Sequence, residues 1–404
     1  MPYDAVFVHH PDSARYQFAV HHPFDPLRLT LSQDLLSKTG ALPAQLMMQP
    51  SACSDEETER LLRLVHRDDY IGIVRQLSSK APPQNVIAQA EQYGLGTEDT
   101  PYFEGMHDAA AAIVAGSTAA ADAVMKGHAA HAYHMGGGLH HGFPHKAAGF
   151  CVYNDTAITI KHLQARYGAR VLYIDTDVHH GDGVQWAFYD DPDICTYSIH
   201  ETGKYLFPGT GFVYEKGSDR GFGATFNIPL EPYTEDDSWI ESFQSTIGKV
   251  AKAFKPDIIV SQHGCDAHAF DPLSHMYCST RIYYTIPKLI HELAHQYAGG
   301  RWVALGGGGY DIWRVVPRAW ALVWLAMTDH PLIAEIGADE SSRRGGAVPT
   351  VRLPSSWTEA WAAQSPVPLP LYWMDDLSEV PPIPRRAEIE RKNRDICQIA
   401  VQDL

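Results

Sequence analysis

Five ionisable side chains fall within eight positions of one segment: Asp175, Asp177, His179, His180 and Asp182 in DTDVHHGDG. An apolar run, Val171 to Ile174, leads straight into it. Alternate side chains of an extended segment share a face, so Asp175, Asp177 and His179 are expected to project together. Carboxylate oxygen and imidazole nitrogen are ligands for zinc or another divalent transition metal. Without a cation, so many ionisable groups behind a buried strand would repel and desolvate one another. A catalytic zinc site takes three protein ligands and keeps one position open. The best candidate for the third is Asp266, which ends SQHGCD after another apolar run. Two carboxylates neutralise Zn²⁺, so such a metal acidifies water less than a three-histidine site does. The chemistry then needs a separate base and a second electrophile. GGGLHH offers His140 and His141 in a glycine-rich loop, with an ordinary pKa suited to proton transfer. GGGGY ends in Tyr310, whose phenol can donate to a developing oxyanion.

These clusters need elements to hold them. Short apolar runs at 5–8, 171–174, 194–199, 258–260 and 302–305 mostly end in polar or glycine-rich segments. Runs of that length suit strands buried on both faces. Helical candidates lie between them: Met106 to Val124, Asn154 to Tyr167, Trp239 to Phe254 and Arg281 to Tyr297. Strands alternating with helices predict a single parallel-sheet α/β domain. Ligands of such folds sit beyond the carboxyl ends of the strands, where the clusters fall. From Pro331 onward the texture changes, with nine of the 27 prolines and no aliphatic strand pattern. We expect residues 1–330 to form the catalytic domain and 331–404 an extension packed on it, ending in a polar helix near RRAEIERKNR.

Composition narrows the partners. A chain of 404 residues with 45% hydrophobic and 20% charged side chains is globular in type. Its 32 Lys+Arg against 48 Asp+Glu give a formal charge of -16, which argues against nucleic-acid binding, since that relies on cations at phosphates. No apolar run reaches the roughly 18 residues of a membrane span, and the N-terminus lacks a signal-peptide pattern. Six cysteines without C-x-x-C spacing read as reduced thiols, and a cytoplasmic location is expected. The pattern leaves the oligomeric state open.

One rival motif is present. His291-Glu292-Leu293-Ala294-His295 fits H-E-x-x-H, the helical zinc signature of metalloproteases. No third ligand follows it, since the next glutamate is Glu335, beyond another strand and helix. The protease reading is therefore set aside. His128, His131 and His134 also fall at helical spacing and are expected to be exposed or capping residues.

In this order, HHPFDPLRL, VHRDDY, GTEDTPYFEGM, GGGLHH, GFCVYND, VLYIDTDVHHGDG, YLFPGTG, QHGCDAH, LGGGGY and PIPRRAEIE resemble the histone deacetylase family, and within it the bacterial acetoin-utilisation (AcuC-type) branch. The resemblance covers nearly the whole chain. It implies a three-layer α/β/α fold of the arginase/deacetylase kind and removal of acetyl or short acyl groups from lysine side chains. It further implies that Asp177, His179 and Asp266 hold Zn²⁺, with Fe²⁺ the alternative. His141 is then the general base, with His140 largely cationic or assisting proton delivery. Asp182 stands behind His141 and Asp175 behind His140, and Tyr310 binds the substrate carbonyl. Phe150 and Phe207 resemble the aromatic walls of the acyl-lysine tunnel, and the Gly149 carbonyl the acceptor for the scissile N–H. Asp99 matches the rim aspartate, and Arg28 the arginine of an internal acetate channel. A structural K⁺ is implied near Asp175, Asp177, His179 and Ser198. Leu273 stands where acetylpolyamine-specific relatives carry a glutamate, which weakens an acetylpolyamine substrate as the alternative. His263 replaces the leucine of many eukaryotic members, and Ala224 the aromatic near their second cation site, so no second monovalent site is expected.

Overall fold

The apolar runs become strands of one all-parallel sheet, in the order β2-β1-β3-β8-β7-β4-β5-β6. The strands are β1 (Tyr3–Val8), β2 (Met47–Met48), β3 (Ala129–His134), β4 (Val171–Asp175), β5 (Ile194–Glu201), β6 (Thr225–Leu230), β7 (Ile258–Gln262) and β8 (Trp302–Leu305). The computed structural model describes residues 3–19, 21–51, 53–342, 348–377 and 383–404. Alternate strand residues enter different cores, as a doubly covered sheet requires. Tyr133, Leu172, Ile174, Ile259 and Trp302 pack towards the Leu27–Lys38, Asp236–Phe254, Thr280–Tyr297 and Val316–Met327 helices. Ala132, Val171, Tyr173, Val260 and Val303 pack instead against residues of the Met106–Met125 and Asp155–Tyr167 helices. The architecture is three-layered, α/β/α.

Local signals set the helix ends. The Asn154 side chain accepts from the Ala157 N–H at the start of Asp155–Tyr167, and Gly168, in the left-handed region, closes it. Met106–Met125 is long and apolar enough to cross a membrane, but two-thirds of it is buried in the fold, where alanines let it lie close to its neighbours.

Three strands lack the expected signature, the two-residue β2 (Met47–Met48) among them. Residues 129–134 form β3, with His131 and His134 buried. The helical spacing of 128, 131 and 134 was therefore misleading, and only His128 is exposed. β6 contains Pro229, which a sheet tolerates at its margin, and β6 is the last strand in the order.

The C-terminal segment supplies specific contacts. Asn393, on the Arg386–Ala400 helix, accepts from the Glu231 N–H (3.0 Å) and donates to Thr234 and Ser238. Buried Asp375 receives bonds from Arg318 (2.7 Å), His268 (2.9 Å) and the Thr280 N–H (2.7 Å). The proline-rich stretch 378–382, including the first proline of PIPRRAEIE, lies outside the described residues.

Candidate active site

Four adjacent central strands, β3, β8, β7 and β4, release their carboxyl-end loops at one place. Asp177 and His179 follow β4, and Asp266 follows β7. They do not share a strand face, because β4 ends at Asp175; the bend beyond it turns them inward. One ligand atom from each of the three lies within 4.8 Å of the others, and all three residues are buried. His179 Nδ1 is 3.2 Å from Asp177 Oδ1 and 3.0 Å from Asp266 Oδ2. Asp177 Oδ2 accepts from Gln262 Nε2 (2.7 Å) and the Gly308 N–H (2.8 Å), and Asp266 Oδ1 from the Val178 N–H (2.9 Å).

The site fits a divalent cation. Burial and the charge of Asp177 push the Asp266 carboxyl upward, so the pair resists carrying two negative charges that a cation would offset. Two glycines make the space. A Cβ at Gly264 would lie 2.0 Å from Asp177 Oδ2, and one at Gly308 2.2 Å from Asp266 Oδ2. The donor set of two carboxylates and one imidazole suits a transition metal.

Beside this triad, two histidine–carboxylate pairs lie side by side. His140 Nδ1 is 2.8 Å from Asp175 Oδ2, and His141 Nδ1 is 2.7 Å from Asp182 Oδ1. The two rings are 4.0 Å apart between centroids. Burial opposes charge on His140, but Asp175 and Asp177 outweigh it and push its pKa up to about 9. Burial, with the neighbouring charge of His140, lowers the pKa of His141. Tyr173 donates from its hydroxyl to Asp175 (2.7 Å).

Tyr310 follows β8. Burial and the nearby Asp266 and Asp177 raise its phenol well above the ordinary range, so it stays protonated. Its backbone N–H donates to Asp271 Oδ2 (2.8 Å), whose other oxygen accepts from the Leu273 N–H (3.0 Å). Arg28 is buried beneath the site, donates to the Gly309 carbonyl (3.1 Å) and lies over the Phe24 ring. Among the described residues its Nε has no hydrogen-bond partner. Phe150 packs edge-on to Tyr310 at 5.7 Å, and Phe207, half exposed, edge-on to His141 at 5.0 Å. Gly149 and Phe150 both have positive φ, 51° and 65°. A Cβ on Gly149 would come within 2.3 Å of the His141 ring. Exposed Asp99 accepts from the Gly149 N–H (2.9 Å). Ser198, paired in register with Asp175, has its hydroxyl 2.8 Å from His200 Nδ1.

Other histidines serve different ends. His180 contacts Thr210 (2.8 Å) and Gln185 (2.9 Å) and so pins the loop that carries Phe207. His263 lies 2.8 Å from the Ser261 hydroxyl. His291 and His295 join a separate cluster with His131, so the H-E-x-x-H motif does have a third histidine, upstream on β3 rather than downstream. Sequence reasoning missed Gln262, Asp271 and Tyr173. Gln262 was legible only as the first residue of QHGCDAH, and Asp271 only as the acid before Pro272.

Comparison with known proteins supplies the family and the fold. Residues 22–327 match the histone deacetylase domain. The chain is 51% identical over 390 residues to acetoin utilization protein AcuC of Bacillus subtilis (strain 168), covering 96% of this chain and 95% of that protein. It is 45% identical over 387 residues to AcuC of Staphylococcus xylosus, with 96% and 94% covered. Among solved structures it resembles an HDAC homolog from Aquifex aeolicus with a TM-score of 0.78 and 25% identity, covering 98% of this chain and 100% of that one. A structure of an HDAC homolog complexed with SAHA gives the same score and identity, with 99% and 100% covered. With a deacetylase domain across most of its length and AcuC relatives along nearly all of it, the chain belongs to the histone deacetylase family, in its AcuC-type branch.

Proposed function

We propose that this family member removes acetyl or short acyl groups from lysine side chains of proteins, with Zn²⁺ held by Asp177, His179 and Asp266. The observation that carries this reading is the pair of buried His–Asp couples beside the Asp-His-Asp cluster, one histidine favoured as a cation and its neighbour as a neutral base. When bound, the cation polarises the scissile carbonyl and the attacking water. Asp182 engages Nδ1 of His141, which leaves Nε2 to take the proton from water. His140, charged against Asp175, assists delivery of a proton to the leaving amine. The Tyr310 hydroxyl donates to the oxygen that gains negative charge. Phe150 and Phe207 flank the lysine stem, and the Gly149 carbonyl accepts the amide N–H while Asp99 grips the substrate backbone at the rim.

The buried Arg28 Nε has no partner among the described residues, which supports a role in holding released acetate. We assign K⁺ to the neighbourhood of Asp175, Asp177, His179 and Ser198, and residues 331–404 to an extension of the same catalytic unit acting in the cytoplasm. The apolar Leu273 favours a lysine stem over a cationic polyamine. The test compares turnover of acetyl-lysine peptides, acetylated proteins and acetylspermidine by the zinc-loaded protein. Faster hydrolysis of acetylspermidine than of every lysine substrate overturns the substrate assignment. Dialysis against a chelator should abolish turnover and Zn²⁺ restore it.

A further inference from the structure

The catalytic chemistry leaves one histidine cluster unused. His131 lies on β3 in register with Trp302, the first residue of β8, so the cluster sits at the amino end of the strands, opposite the catalytic loops. His291 and His295 come from the last two turns of the Thr280–Tyr297 helix, one turn apart on one face. His291 Nε2 is 3.0 Å from His131 Nε2 and 3.0 Å from His295 Nε2.

A ring nitrogen carries either one proton or one lone pair. His291 Nε2 can therefore satisfy one of its two nitrogen neighbours by a hydrogen bond, and the other contact is left to repel. A shared cation removes that conflict. Nitrogens 2.0–2.1 Å from a tetrahedral Zn²⁺ stand about 3.3 Å apart, so both 3.0 Å contacts are within a few tenths of an ångström of ligation, and all three rings offer a nitrogen within 4.8 Å of the others. His131 is buried, which disfavours the charged ring and leaves a lone pair available. Behind the cluster, Asp329 Oδ1 lies 3.7 Å from His291 Nδ1, too far for a hydrogen bond but near enough for its charge to favour a cation at the cluster. Trp302 stacks on His291 at 5.9 Å and covers one side. His295 is exposed and opens the remaining side to solvent.

We infer that His131, His291 and His295 form a second binding site for a divalent transition cation such as Zn²⁺, clamping the end of the helix to the sheet. Three nitrogen donors and an exposed face leave the fourth position to water.

The test is equilibrium dialysis of the full chain against Zn²⁺ with elemental analysis, alongside thermal unfolding. The wild-type protein should take up two ions per chain. His295→Ala, a change at an exposed position, should keep one ion and unchanged deacetylase turnover. Its second affinity should fall at least about tenfold, and the Tm increment that Zn²⁺ gives the wild type should shrink. Asp177→Ala should lose the other ion and keep this one, which separates failure of this site from failure of the catalytic reading. Uptake by the wild type of a single ion that Asp177→Ala abolishes, or a second ion held equally well by His295→Ala, overturns the inference. His295→Asn, in parallel, should reproduce the loss.

Discussion

Two adjacent histidines with the same chemistry acquire opposite charge preferences, His140 favouring the cation and His141 the neutral ring. His140 meets Asp175, 35 positions on, and His141 meets Asp182, 41 positions on. Nothing within GGGLHH distinguishes the two rings; the difference is that His140 has both Asp175 (2.8 Å) and Asp177 (3.9 Å) beside it, and its charge then opposes charge on His141. We expect His141→Ala and Tyr310→Phe each to lower turnover on an acetyl-lysine fluorogenic peptide at least about 10²-fold, the scale of one acid/base or oxyanion group. Near-wild-type rates in both would remove the mechanism. The residues that could act were legible because metal ligands and bases are rare types at telling spacings. Gln262, Tyr173 and Asp271, which hold them, are not legible, because a supporting hydrogen bond is defined only once strands from separate parts of the chain are neighbours.

At the scale of elements, the strands that announce themselves are the aliphatic ones. β4 and β7 are buried along their whole length and read clearly. β3, AAHAYH, escaped because its core-facing residues include His131, and an isolated polar residue at three-residue spacing imitates a helix. β6 escaped because Asn227 and Pro229 interrupt it. The loops obey a different rule: their glycines are there to leave room. Gly308 sits against both carboxylates of the ligand cluster, so Gly308→Ala must push one of them aside. The expected result is a fall of about 10–100-fold in affinity for the catalytic metal, measured by chelator competition, with a folded chain. Unaltered affinity would mean that the loop relaxes freely and the cradle is not rigid.

Across the molecule, burial turns histidines into acid-labile parts. The N–H of Asn154 donates to His66 Nε2, and the opposite ring nitrogen lies 3.0 Å from the Phe143 carbonyl, so the ring is neutral with both nitrogens used. Burial lowers its pKa to about 3, against roughly 6.5 when unfolded. Between those values the unfolded chain binds a proton that the folded one refuses. His66 therefore costs no stability above about pH 6.5 and subtracts from it as pH falls towards 3. His134, buried and lowered to about 3, acts in the same direction. Replacing His66 with Gln should flatten the acid limb of stability against pH by about 1.4 kcal/mol per pH unit, as read from denaturant unfolding between pH 6 and 4. An unchanged slope would show that His66 does not titrate there.

The strand order has a consequence for the protein as it is being made. Among the described residues β8 is the last strand in sequence, yet it lies between β3 and β7. Until the ribosome has released residues beyond 305, those two strands have no partner between them, and each presents an open edge of the kind that recruits other chains. The His140–His141 loop belongs to one side of that gap, and Asp177, His179 and Asp266 to the other. Insertion of β8 closes the sheet and brings Gly308 and Tyr310 with it, so the parts of the candidate site meet only once this strand is in place.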